Sequence, residues 1–218
     1  MNKILKLSAI ALLASSTSLM AQTKPFEGGS IALSVSAMGA EIDGSYTDGN
    51  SMRNTGSAGK VAALAGIDLS YAYPAGKDFL VGFGANYVPL KAKVGTGKSG
   101  DSSSALTSEV EVKDLYTLYI EPTFVLNANT ALSVKAFWSH ADLSVSNVTT
   151  ASSDMEGYGA AIGLKTTTGA NSFVKFEVSY TDFDDIFARR NASGSGSATS
   201  VTADPTMVLG TVSIGYKF

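Results

Sequence analysis

Few side chains in this sequence have the types and spacing that chemistry needs. His140 is the only histidine, so a multi-histidine metal site is excluded. It heads the run His140-Ala141-Asp142-Leu143-Ser144. A nucleophilic site needs a base held against its nucleophile. Here Asp142, not a serine, stands two residues away, and Ser144 lies four away, roughly 13 Å at strand rise. The pattern therefore reads as a polar rim pair with no catalytic role. Gly97-Lys98-Ser99 has the letters of a phosphate loop, but Ala92 stands where the first glycine is required and no helical period follows, so it reads as exposed loop. Asp182, Asp184 and Asp185 offer clustered oxygens of the kind Ca²⁺ prefers, and read as a solvated loop base. Arg189 and Arg190 match phosphate geometry. No motif implies a cofactor.

The remaining charges are of another kind. Asp68, Glu121, Lys135, Lys165, Lys175 and Glu177 are scattered through segments that otherwise alternate apolar and small polar residues. Three of each sign, spread this way, make sense only if the segments converge. Such charges are tolerable in an interior only when paired and hydrogen-bonded.

The elements that would converge them have a period of two, recurring eight times. The alternation predicts strands near Ser30–Ile42, Lys60–Tyr73, Phe79–Lys91, Val112–Leu126, Ala131–Ser144, Met155–Thr166, Ser172–Phe183 and Met207–Phe218. In the second, Val61, Ala63, Ala65, Ile67, Leu69, Tyr71 and Tyr73 oppose Gly66, Asp68 and Ser70. In the fourth, Tyr116, Leu118, Ile120 and Phe124 oppose Lys113, Thr117, Tyr119 and Glu121. Short turns at Pro74–Asp78, Asn127–Thr130 and Thr167–Asn171 alternate with long polar connections at Asp43–Gly59, Gly95–Glu111, Val145–Asp154 and Asp184–Thr206. Of these, Gly95–Leu106 and Asn191–Ser200 are rich in Gly, Ser and Ala, the second reading as mobile. Short turns on one rim and long loops on the other are the mark of an up-and-down transmembrane barrel. Pro89 and Pro122 each lose a ladder donor and are expected near the rims, where pairing stops.

Banding of the aromatics decides which face meets lipid. Tyr73, Phe79, Phe124 and Phe218 fall at the short-turn ends; Tyr87, Tyr116, Trp138, Tyr158 and Tyr180 fall at the long-loop ends. Two separated bands match two membrane interfaces. The apolar face then points outward, and the six charges form a network filling the lumen.

The first residues read as a secretory signal: Lys3 and Lys6, an apolar Leu7–Leu13, a small polar Ser15–Ser18, and cleavage after Ala21. The apolar stretch is far shorter than the ~20 residues of a spanning helix. Loss of residues 1–21 from the 218 leaves 197; taking two lysines from the net charge of −3 leaves −5. An acidic chain has no electrostatic case for nucleic acid. There is no cysteine, hence no lipoprotein anchor and no disulfide. The expected organisation is a signal at 1–21, a short lead at 22–29 and one barrel at 30–218.

The last residues, Thr211-Val212-Ser213-Ile214-Gly215-Tyr216-Lys217-Phe218, complete the pattern. Together with the eight strands, over Gly28–Phe218, the chain resembles the small outer-membrane barrels of the OmpA/OmpX-like and opacity type. In that family the barrel-assembly machinery reads a terminal signal that Thr211, Tyr216 and Phe218 match, while Ser213 stands where glycine is usual. The resemblance implies an all-β, eight-stranded antiparallel barrel exported to the outer membrane, with lipids and lipopolysaccharide around it, Arg189 and Arg190 toward lipopolysaccharide phosphates, and an unknown partner at the loops. Lipid A deacylases share this plan but place His, Ser and an acid together, which His140 and Ser144 do not. Omptin-like proteases have longer barrels. The expected role is structural or adhesive; the alternatives are a diffusion pore and a lipid-modifying enzyme.

Overall fold

The computed structural model describes residues 23–47, 53–89, 92–99, 106–145, 150–190 and 199–218. The expected signal, residues 1–21, and most of the Asn191–Ser200 segment lie outside the described residues.

Eight strands close a barrel wall: β1 (Gly28–Thr47), β2 (Arg53–Pro74), β3 (Phe79–Val88), β5 (Leu106–Asn127), β6 (Thr130–Val145), β8 (Asp154–Thr167), β9 (Ser172–Phe183) and β11 (Thr199–Lys217). Each pairs antiparallel with its sequence neighbour in the wall, and β1 pairs β11 to shut it. Closure joins the first strand to the last, which is what a sheet in lipid requires. The eight strands and three short turns thus fall where the alternation places them.

A row of paired residues measures the stagger. From Ile31 it runs through Leu69, Ala85, Leu118, Trp138, Tyr158, Asp182 and Thr206, and returns to β1 at Glu41, ten residues farther on. Eight strands with that stagger tilt roughly 40° from the barrel axis.

The long connections differ from the expected polar loops. β1 and β2 stay paired out to Thr47 and Arg53. Three short strands extend the other walls: β4 (Ala92–Ser99) on β5, β10 (Ile186–Arg190) on β11, and β7 (Thr150–Ala151) on β10. Gly97-Lys98-Ser99 is therefore strand, not loop. Once two arms are paired, each further rung adds ladder hydrogen bonds at little extra chain-closure cost, so the hairpins continue past the apolar band.

The breaks have local causes. Pro89 follows the end of β3, which stops at Val88 short of the expected Lys91; residue 91 is outside the described set. Pro122 is within β5 rather than at its end, paired with Val81, while the β5–β6 ladder skips from Ile120–Ala136 to Thr123–Ser133. At Asp114 (φ 48°) a bulge shifts the β5–β6 register between Lys113 and Tyr116. Asp tolerates this left-handed backbone better than most residues, and its carboxylate accepts a 2.8 Å hydrogen bond from the Tyr87 hydroxyl. The extra residue inverts the alternation above it. Val112 is buried inside, and Lys113, expected on the polar face, pairs with outward Asp142.

Candidate functional site: the lumen and the outer rim

The inward residues of the wall are small or polar at mid-height. Gly82 and Gly84 on β3, and Gly157, Gly159 and Gly163 on β8, leave space for larger chains from the neighbouring strands. The fit is close: a Cβ on Gly159 would lie 2.2 Å from the Phe137 ring, and one on Gly84 2.3 Å from Tyr119.

Five of the six charges flagged in the sequence project into one cluster. Lys135 on β6 donates to Glu177 Oε1 on β9 at 2.9 Å and stands 3.7 Å from Glu121 on β5. Lys175 on β9 donates to Glu121 and lies 2.9 Å from Glu177 Oε2. The four side chains are 9–14% exposed. Asp68 joins through a residue not in the expected set: the Tyr119 hydroxyl donates to both its carboxylate oxygens at 2.9 and 3.0 Å, and Lys135 sits over the Tyr119 ring at 4.1 Å. Lys165 stands apart, its ammonium 3.8 Å above the Phe173 ring. Hydroxyl pairs extend the polar interior: Ser30–Ser70, Ser36–Thr211 and Thr117–Ser139, each at 2.8–2.9 Å. The cavity left between these groups is about 80 Å³, space for a few waters.

Apolar side chains occupy the lumen above and below. Toward the short turns, Phe26, only 2% exposed, packs with Leu80, Val125 and Ala131. It comes from a 3₁₀ turn, Lys24–Phe26, in the segment read as a mere lead. Lys217 holds that turn by donating to the Lys24 carbonyl at 2.7 Å, and the Phe218 amide donates to Gly29 at 3.0 Å. Toward the long hairpins, Met38, Leu64, Val88, Val112, Leu115, Leu143, Met155, Phe183 and Met207 form a second apolar cluster. For all of these but Val112, which the bulge at Asp114 turns inward, the signal was present in the sequence: large apolar residues on the otherwise polar parity of a strand. Phe26 has no such signal, since it precedes the first strand.

Outside, Tyr73, Tyr87, Tyr116, Phe124, Tyr158, Tyr180 and Phe218 are exposed, between 38% and 75%, and Phe79 and Trp138 are half-buried on the same face. Eight residues separate Phe79 from Tyr87, and Tyr116 from Phe124. At the strand rise and tilt above, that is roughly 20 Å along the axis. Between the two bands the exposed side chains include Leu33, Val35, Ile67, Leu69, Phe83, Leu118, Ile120, Val134, Ile162, Phe176, Val178, Val212 and Ile214. An exposed apolar belt of this height is matched to a bilayer, not to water. Among the described residues no helix is long and apolar enough to cross a membrane.

The terminal residues divide by parity. Thr211 points inward to Ser36, while Tyr216 and Phe218 are outward. Beyond the upper aromatic band, His140 Nε2 lies 3.7 Å from Asp142 Oδ1, on the outer face with Ser144 farther up β6, paired with Glu111. Asp182 ends the outward row of β9, and Asp184 and Asp185 are exposed at the β9–β10 break; they form no metal-ligating group among the described residues. Arg189 is exposed on β10, nine residues beyond Tyr180, roughly 20 Å above the aromatic band. Arg190 ends β10.

No protein-family model matches the chain, and no curated protein does. Solved structures do. The outer membrane protein OprG from Pseudomonas aeruginosa superposes with a TM-score of 0.58 at 14% identity, over 92% of this chain and 99% of that one. Ail, the attachment invasion locus protein of Yersinia pestis, is similar at TM-score 0.42 and 16% identity, over 88% of this chain and 99% of that one. The outer membrane protein AlkL is similar at TM-score 0.48 and 15% identity, over 94% and 95%. The OprG likeness shows the fold, a small eight-stranded barrel.

Proposed function

We propose that this chain is an integral outer-membrane barrel with a closed lumen, a rigid non-catalytic scaffold that carries paired hairpins beyond the membrane for envelope integrity or surface interaction. The observation that carries this reading is the three-layer filling of the lumen. Phe26 and its neighbours occupy the short-turn mouth, the Glu121–Lys135–Lys175–Glu177 cluster the middle, and the Met38–Met207 group the hairpin end. The cavity between the lumen charges, about 80 Å³, is too small for a solute bigger than a few waters. The aromatic bands and the apolar belt support the membrane setting, the likeness to OprG supports the outer membrane, and the closed ladder supports life without disulfides.

Planar-bilayer recording tests the reading. The full chain should give no stable, reproducible openings; ohmic steps of constant size would overturn it.

A second reading, passage of a small apolar solute, has one observation in its favour. The β2–β3 ladder ends at Ile67–Tyr87, although β2 runs on from there to Arg53, and the lumen beside that interruption is apolar. Uptake of an apolar dye into vesicles bearing the protein, absent from protein-free vesicles, would favour it over the scaffold.

A further inference from the structure

We propose that the outer face of β6 and β8 carries a divalent transition-metal site made by His140, Asp154 and Glu156. One ligand atom of each lies within 4.8 Å of the others. A carboxylate pair with one imidazole is the donor set that Zn²⁺ and Mn²⁺ accept, with open positions left over for water or a second ligand.

The strand register brings these residues together. His140 pairs directly with Glu156, and Asp142 with Asp154, on the outward face of adjacent strands. Glu156 Oε1 is 3.5 Å from His140 Nδ1, while Asp142 Oδ1 is 3.7 Å from Nε2 on the other edge of the ring. The imidazole therefore meets a carboxylate on each side.

Two observations separate this group from ordinary exposed acids. First, the histidine is fixed. Its ring stacks on Tyr116 at 5.1 Å and 15°, with Trp138 at 5.9 Å, and its side chain is 18% exposed. A preoriented imidazole loses little freedom on binding an ion. Second, the charges are unbalanced. Asp142 and Asp154 face each other as a cross-strand pair, a destabilising arrangement for like charges. Lys113 is the cross-strand neighbour of Asp142 on the other side, yet among the described residues none of Asp142, Asp154 and Glu156 forms an ion pair with a lysine or arginine. A bound dication between the carboxylates and the imidazole relieves that repulsion.

Closing on an ion needs small motions only. Metal–ligand distances of about 2.0–2.2 Å require the donor atoms to approach somewhat more closely than they stand here. Asp154 and Glu156 are exposed and free to do so, and Ser153 orients Asp154 by donating to its Oδ1 at 2.8 Å. The site lies just beyond the aromatic band, since His140 is two residues past Trp138 and Glu156 two past Tyr158 on the hairpin side.

The test is calorimetric titration of Zn²⁺ into the full chain in detergent micelles, with His140→Ala, Glu156→Gln and, as an off-site control, Asp185→Asn. One saturable Zn²⁺ per chain is expected. His140→Ala and Glu156→Gln should each weaken it by at least about tenfold, and Asp185→Asn should leave it unchanged. Retention of the heat-modifiable band shift on gels certifies that each variant is folded. Mg²⁺, which favours oxygen ligands, should bind more weakly than Zn²⁺ and without dependence on His140. No saturable binding at millimolar Zn²⁺, or binding that the His140 and Glu156 variants leave intact, overturns the proposal.

Discussion

Lys135 reaches across the lumen from β6 to place its ammonium 2.9 Å from Glu177 on β9, a strand that is not its neighbour in the wall. With Glu121 and Lys175 it makes an alternating square of two cations and two anions, each sign touching the other. In such a site the cost of desolvation is met only while every member is present. The wall is thus tied along chords as well as round its circumference.

Removing two oppositely charged corners together should therefore cost less than the two single removals added. Glu177→Gln leaves two ammonium groups facing one carboxylate, and a loss of about 3–5 kcal/mol is expected from breaking a buried pair. Lys135→Met combined with Glu177→Gln should lose less than the sum of the single changes. Urea unfolding in micelles, followed by the heat-modifiable gel shift, measures all three; strict additivity would contradict the coupled square.

The lipid-facing wall makes a depth-dependent prediction. Phe176, 54% exposed, lies four residues below Tyr180, midway between the aromatic bands. Phe176→Arg should destabilise the barrel in bilayers by about 2–4 kcal/mol, whereas arginine at Asp182, beyond the band, should cost about 0–1 kcal/mol. Unfolding from vesicles compares the two; equal penalties would mean the apolar belt does not sit in hydrocarbon.

Gly159 has no room for a methyl group. Its Cβ would stand 2.2 Å from the Phe137 ring and 2.4 Å from the Tyr180 carbonyl, and that carbonyl belongs to the wall and cannot swing away. Gly159→Ala should cost about 1–3 kcal/mol. Gly210→Ala, where nothing lies within 4 Å, should be nearly neutral in the same denaturation assay.

Phe26 packs into the short-turn mouth from outside the strand system. Phe26→Ala should lower stability by about 3–5 kcal/mol, as for a buried phenylalanine. The charged square still fills the middle, so this variant alone should stay closed in planar bilayers. Openings from Phe26→Ala by itself would show the N-terminal turn to be the principal barrier.

The strands and their inward and outward faces were legible because a period of two is a local property. Tyr71 and Tyr73, or Lys175 and Glu177, declare their shared face by spacing alone, and a signal repeated eight times outweighs any one ambiguous segment. Closure was legible for the same reason: apolar faces banded by aromatics fit lipid, and lipid permits no open edge. What sequence could not show is decided across the barrel. The bulge at Asp114, held by Tyr87, reverses the alternation and sends Lys113 outward. The stagger of ten residues determines which non-neighbouring strands meet over the lumen, and so pairs Lys135 with Glu177 and joins Tyr119 to Asp68. The local register of β6 and β8 sets His140 beside Glu156 and Asp154. Spacing along a strand assigns a face, but partners are chosen by stagger, which emerges only when the last strand meets the first.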